Sequence, residues 1–229
     1  MKIYAINGSP RREHNTARLL DAFLEGAASV AEGAETRRVD LYTLDYKGCT
    51  ECFACKRKGS PSYGRCAYPD ELRELLWDVA RADVIAFGSP VYFSDISGQL
   101  RCFLERLYYP FTAFKKGEDR VIAPKKIPTA FIYSMNAPLD PAAAGDYVRS
   151  LSNMHGWTER VLGYAPELVC ASNIWQMDDH DRYEMDIWDW EQKAVWRETQ
   201  FPRDLQNARD TGRRLAARCR GEHCSPACN

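Results

Sequence analysis

The segments Asp83 to Gly88 (DVIAFG) and Ile127 to Met135 are apolar along both faces. A strand buried on both faces needs a layer on either side, the condition of a parallel sheet flanked by helices. Ile3 to Ile6 begins the series of strands, Glu35 to Leu41 adds a weaker one, and Glu167 to Ala171 closes it. Between them, apolar residues recur at helical spacing: Leu20, Phe23, Leu24 and Ala27, then Leu72, Leu75, Leu76 and Val79, then Leu100, Phe103, Leu104 and Leu107. Further helices are expected over Asp140 to His155 and over Asp204 to Cys219. Five strands alternating with helices specify an α/β fold, an open, doubly wound parallel sheet with right-handed crossovers. The division expected is a domain over residues 1–172. An extension over 173–229 would then pack on that domain or on a partner subunit.

In such sheets ligands lie beyond the carboxyl ends of the strands, at the switch point. That places three loops together: Gly8 to Thr16, Ser89 to Gly98, and Ser134 to Pro138. The first is a strand, a small-residue turn and a helix start, whose free N–H groups and positive end make an anion seat. Ser9, Asn15 and Thr16 add short donors, and Arg11 or Arg12 adds a charge-assisted one. The loop lacks both the G-x-G-x-x-G spacing and the Gly-Lys-Ser/Thr ending. That favours the terminal phosphate of a small cofactor, with an ordinary capped turn as the alternative.

Four of the nine cysteines crowd between Cys49 and Cys66. Cys49, Cys52 and Cys55 follow C-x-x-C-x-x-C spacing, and ten residues (Lys56 to Arg65) separate them from Cys66. Three thiolates so spaced wrap one corner of a four-iron cluster, with a fourth completing the set. A redox-active thiol pair or a zinc site are the alternatives. The odd, crowded count fits a reducing cytoplasm better than a disulfide scaffold. Cys219, Cys224 and Cys228 form a looser group read as a disordered terminus, and Cys102 and Cys170 read as small buried thiols.

These stretches resemble the flavodoxin-like NAD(P)H-dependent FMN reductases, in particular their iron–sulfur flavoprotein branch. The likeness rests on Gly8-Ser9-Pro10-Arg11 with Asn15-Thr16, the Cys49/Cys52/Cys55 run, Ser89-Pro90-Val91-Tyr92-Phe93, and Gly98-Gln99-Leu100 through Glu105-Arg106. The helix from Phe201 to Leu215 adds to it. The resemblance implies a five-stranded flavodoxin-like sheet with a C-terminal helical extension. Ser9, Arg11, Asn15 and Thr16 would hold the FMN phosphate. Backbone donors of the loop carrying Pro90, Val91, Tyr92 and Phe93 would meet the ring, with Ser134 and Asn136 completing the site. It also implies a 4Fe-4S cluster on Cys49, Cys52, Cys55 and Cys66, and a homodimer or homotetramer. Electrons would pass from NAD(P)H through FMN to a small-molecule or protein acceptor; the competing reading is an electron carrier between protein partners. No acid–base catalytic residue is expected, because the cofactor carries the chemistry.

Composition narrows the partners. Net charge is -1 with no basic run, which excludes a nucleic-acid footprint. No apolar stretch reaches membrane-spanning length. The carboxylates from Asp178 to Asp186 lie among Trp175, Tyr183, Trp188 and Trp190. They lack a calcium-loop pattern and read as a lid over the flavin or a clasp between subunits.

Overall fold

The computed structural model describes residues 1–116, 120–139 and 141–221, the side chains of 141–148 and Gly221 excepted. Cys224 and Cys228 lie outside these residues. Five strands, β1 (Lys2–Asn7), β2 (Glu35–Asp40), β3 (Val84–Pro90), β4 (Thr129–Ser134) and β5 (Glu167–Ala171), form one sheet. Every pairing is parallel and the order is β2-β1-β3-β4-β5, the flavodoxin-like doubly wound arrangement.

The α-helices of the described residues are α1 (Asn15–Ala28), α2 (Leu72–Val79), α3 (Gly98–Tyr108), α4 (Pro141–Leu162), α5 (Trp190–Thr199) and α6 (Phe201–Gly221). Strand alternation divides the core in two. Ile6, Phe87, Phe131 and Tyr133 pack under α2, α3 and α4. Ala5, Ala86, Ala130 and Ala171 face α1 and α6, and their small side chains let that helix pair lie close to the sheet.

Two helices are longer than the sequence pattern predicts. α6 begins at Phe201 because Pro202 sits in its first turn, where a missing N–H removes no helical bond. α4 runs through Gly156 and stops before Gly163, whose φ of +83° takes the left-handed conformation that ends helices. Cys170 corrects another expectation. It is exposed on edge strand β5, where Val169 and Ala171 are buried while Leu168 and Cys170 on the other face are not. Cys102 is half-buried. Cys219 belongs to α6, and its thiol donates to the Asp83 carbonyl at 3.0 Å. Among the described residues no helix is long and apolar enough to cross a membrane.

Candidate functional site

The carboxyl ends of β1, β3 and β4 are tied together by short side chains. Gly8 N–H donates to the Gly88 carbonyl at 2.8 Å, and the Ser97 hydroxyl donates to the Gly8 carbonyl at 2.7 Å. The Thr16 and Ser134 hydroxyls meet at 2.7 Å, and Val91 N–H donates to the Ser134 carbonyl at 3.0 Å. Each of these buried polar groups is thereby satisfied. The loops enclose an open cleft lined by Ser9, Arg11, Asn15, Thr16, Pro90, Val91, Tyr92, Ser134 and Asn136. Nine of the ten residues expected to hold a cofactor therefore surround one space. His14, Ile174 and Gln176, which the sequence reading did not select for the cleft, complete it.

The tenth residue, Phe93, is fully exposed at the tip of a tight turn. Tyr92 and Asp95 exchange backbone bonds of 2.9 and 3.0 Å, and Phe93 and Ser94 take φ of +50° and +63° between them. This turn changes the role expected of the loop. The N–H groups of Val91 and Tyr92 are committed to Ser134 and Asp95, and Pro90 has none. Pro90, Val91 and Tyr92 thus form a wall rather than a row of ring-edge donors.

At the end of the cleft formed by the first loop, α1 starts at Asn15 with His14 as its N-cap and no side chain capping it. The positive end of that helix is therefore left to the cleft. Arg11 and Asn15 are bonded elsewhere than expected. The Arg11 guanidinium donates to the Gln176 carbonyl, and Asn15 Nδ2 donates to the Trp175 carbonyl at 2.8 Å. Residues 174–176 thus lie across the mouth of that end of the cleft, and Trp175 packs edge-on against His180 and Trp190.

A buried lysine fixes this arrangement. Lys193 of α5 is 0% exposed, and its ammonium donates to the Asn136 carbonyl at 2.6 Å and to Asn173 Oδ1 at 2.9 Å. It joins the loop after β4 to the segment after β5, while Asn136 Oδ1 stays buried in the cleft wall without a partner. Burial pushes the Lys193 ammonium down to about 8 from its usual 10.5. Between those two values the unfolded chain carries a proton that the folded chain has released, so stability rises with pH across the window. Lys193→Met is expected to abolish that rise, which urea midpoints of both proteins at pH 8 and pH 10 will measure.

The cysteines form a second site. Cys49, Cys52, Cys55 and Cys66 all line one small pocket, with Phe53, Tyr68, Arg106 and Tyr109. Glu51 and Phe53 flank Cys52 with φ of +53° each, a conformation costing about 1–2 kcal/mol per residue that concentrates at functional sites. The loop is fastened to the end of α3. Lys56 donates to the carbonyls of Tyr109, Pro110 (3.2 Å) and Thr112 (2.5 Å), a cation placed at the negative helix terminus. Burial pushes the Cys55 thiol up. Among the described residues no three Cys, His, Asp or Glu side chains gather closely enough for a single metal ion. The four cysteines have in common that they line this one pocket. This cavity and the cleft share no lining residue, and they sit toward opposite ends of α3, whose eleven residues span about 16 Å.

Residues 1–126 match the sequence model of the NADPH-dependent FMN reductases. An iron-sulfur flavoprotein of Methanocaldococcus jannaschii is 38% identical over 106 residues, 46% of this chain and 51% of that protein. One from Archaeoglobus fulgidus is 31% identical over 124 residues, 54% of this chain and 57% of that protein. The chain thus spans about half the length of these curated relatives. Among solved structures, an NAD(P)H:quinone oxidoreductase from Methanothermobacter marburgensis superposes with a TM-score of 0.61 at 19% identity, covering 94% of this chain and 96% of that one. An FMN-dependent NADH-azoreductase from Bacillus anthracis, in complex with FMN, gives 0.61 at 13% identity over 95% and 98% of the two chains. At such identities the structures share the fold.

Proposed function

Because the chain belongs to the NADPH-dependent FMN reductases, we propose that it is an oxidoreductase that binds FMN in the cleft between the first three loops and takes electrons from NAD(P)H. The observation that carries this reading is the gathering of nine cofactor candidates around one space at the switch point of the sheet. The residues fit the group. The uncapped start of α1 with Ser9 and Thr16 suits a terminal phosphate, and the unpartnered Asn136 Oδ1 awaits a donor such as a ribityl hydroxyl or a ring N–H.

When bound, FMN supplies hydride acceptance from the nicotinamide and delivery of electrons onward. The chain's own residues bind and orient. Ser9, Thr16 and the first turn of α1 hold the phosphate. Arg11 has donors beyond the one committed to Gln176, and these add a charge-assisted bond. Pro90, Val91 and Tyr92 form one wall, and Ser134, Asn136 and Ile174 the other. Residues 174–176 act as a strap that limits entry of water at the phosphate end.

The cysteine cavity is proposed to hold a 4Fe-4S cluster on Cys49, Cys52, Cys55 and Cys66. Two observations support it: one pocket is lined by all four cysteines, and the relatives named above are called iron-sulfur flavoproteins. Protein purified without oxygen is expected to be yellow, to bleach on addition of NADPH or NADH, and to carry about four irons per chain. A flavin that stays oxidised under either nucleotide would make the protein an electron carrier. A protein that takes up no FMN would end the reading altogether.

A further inference from the structure

Arg106 is 2% exposed and lines the cysteine cavity from the last turn of α3. Its guanidinium is held at three places. Nη1 and Nη2 engage both oxygens of Asp70, Nη2 at 2.8 Å from Oδ1, and Nη1 also donates to the Lys47 carbonyl at 3.0 Å. A fork so fixed leaves Nε–H one direction, and there it meets Cys66 Sγ at 3.3 Å. The Tyr68 ring lies 5.4 Å from the guanidinium carbon. Arg106 bonds to Cys66 alone among the four cavity cysteines in this structure.

We propose that Arg106 is the positioning residue of the cysteine site, fixing Cys66 among the four sulfurs and setting the reduction potential of the cluster held there. The proposal rests on the four-cysteine reading given above. A donor to a ligand sulfur draws charge from it and stabilises the more negative, reduced form of a cluster, which raises the potential. Asp70 offsets the net charge of Arg106, so the directed N–H···S bond is what distinguishes Cys66 from the other three sulfurs. A guanidinium does not deprotonate in a protein, so the donor persists at every working pH. Lysine at this position would keep the charge beside Asp70 but lose the fork that aims Nε at the sulfur.

The test uses the full chain, purified without oxygen, with iron and sulfide assays, redox titration and pulsed EPR of the reduced protein. Arg106→Lys is expected to keep FMN and iron while its cluster becomes about tenfold harder to reduce, the effect of one hydrogen bond to a charged group. Arg65→Lys, which alters a cation stacked on Trp77 outside the cavity, is expected to leave the potential unchanged. Wild-type protein grown with 15N-labelled arginine is expected to show nitrogen coupling to the cluster. That measurement decides the matter alone should Arg106→Lys fail to fold or hold iron. A loaded cluster without arginine coupling, or one whose potential ignores Arg106→Lys, overturns the proposal while leaving the four-cysteine site standing. Wild-type protein that binds no iron after reconstitution overturns both.

Discussion

Gly26→Ala is expected to destabilise the protein by about 3 kcal/mol or more and to release the C-terminal helix from the sheet. A Cβ on Gly26 would stand 1.8 Å from the Arg209 carbonyl oxygen, and one on Gly212 would stand 2.0 Å from that of Phe23. The two glycines are reciprocal: each makes room for the backbone of the other helix where α1 crosses α6. Both overlaps are with main chain, so no rotamer change relieves them and the helices must separate. Intrinsic helix propensity works the other way, favouring alanine over glycine by about 1 kcal/mol, and is outweighed. Separation would also uncover Ala27, Ala208 and Ala216, all buried at or near this contact. Urea unfolding of Gly26→Ala and Gly212→Ala measures the cost. FMN binding is expected to weaken with it, because α1 carries the proposed phosphate seat. A stability within 1 kcal/mol of wild type, about the value of the propensity gain, would mean that the helices do not touch as described.

Arg106→Met is expected to cost about 3–5 kcal/mol, the loss that follows when one member of a buried ion pair is removed. The side chains of Arg106 and Asp70 are 1% and 10% exposed, so neither charge finds water when its partner goes. Asp70→Asn added to Arg106→Met removes the stranded charge and still caps Leu72 N–H, now 3.1 Å from Asp70 Oδ1. The double variant is therefore expected to be less destabilised than the sum of the single changes, by about 1–3 kcal/mol. Acid provides an independent check. Burial alone would raise the Asp70 carboxyl, but the Arg106 fork outweighs it and holds the group below its usual 3.8. The stabilisation it brings is present above the unfolded carboxylate value and is lost as pH falls through the lower folded one. Arg106→Met should lose this component, and burial alone would then raise the Asp70 carboxyl, so the stability gap between variant and wild type should narrow as pH falls.

The fold was legible wherever one segment's own pattern settled the matter. Apolar residues on both faces of Val84 to Phe87 and Ala130 to Tyr133 require a buried parallel sheet, and helical spacing in Leu100, Phe103, Leu104 and Leu107 gives the buried side of α3. The small-residue turn after Ile6 likewise announced the start of α1 at Asn15. What could not be read depended on partners distant in sequence. Arg106 looks like the solvent face of an amphipathic helix, because Asp70 and Cys66 stand 36 and 40 residues before it. Lys193 looks equally ordinary until Asn136 and Asn173 close on it. Arg11 and Asn15, expected to donate to a phosphate, line the cleft and donate to acceptors that lie 165 and 160 residues away. The turn at Phe93 and Ser94 escaped for a local reason: it adopts left-handed backbone without the Gly or Asn that usually signals it.

The placement of the two sites along α3 has a practical meaning for protein engineering. No residue from 45 to 69 lines the cleft, and the loop is fastened to the rest of the chain by contacts that include Lys56 on the end of α3 and Arg106 reaching back to Lys47 and Cys66. The loop can accordingly be treated as an exchangeable cartridge. A shorter turn without cysteines, joined at Asp45 and Pro69 with Arg106 replaced by an apolar residue, should leave the cleft's walls where they are. Transplanted onto a related sheet with its arginine and its lysine anchor, the same segment would bring its four cysteines with it.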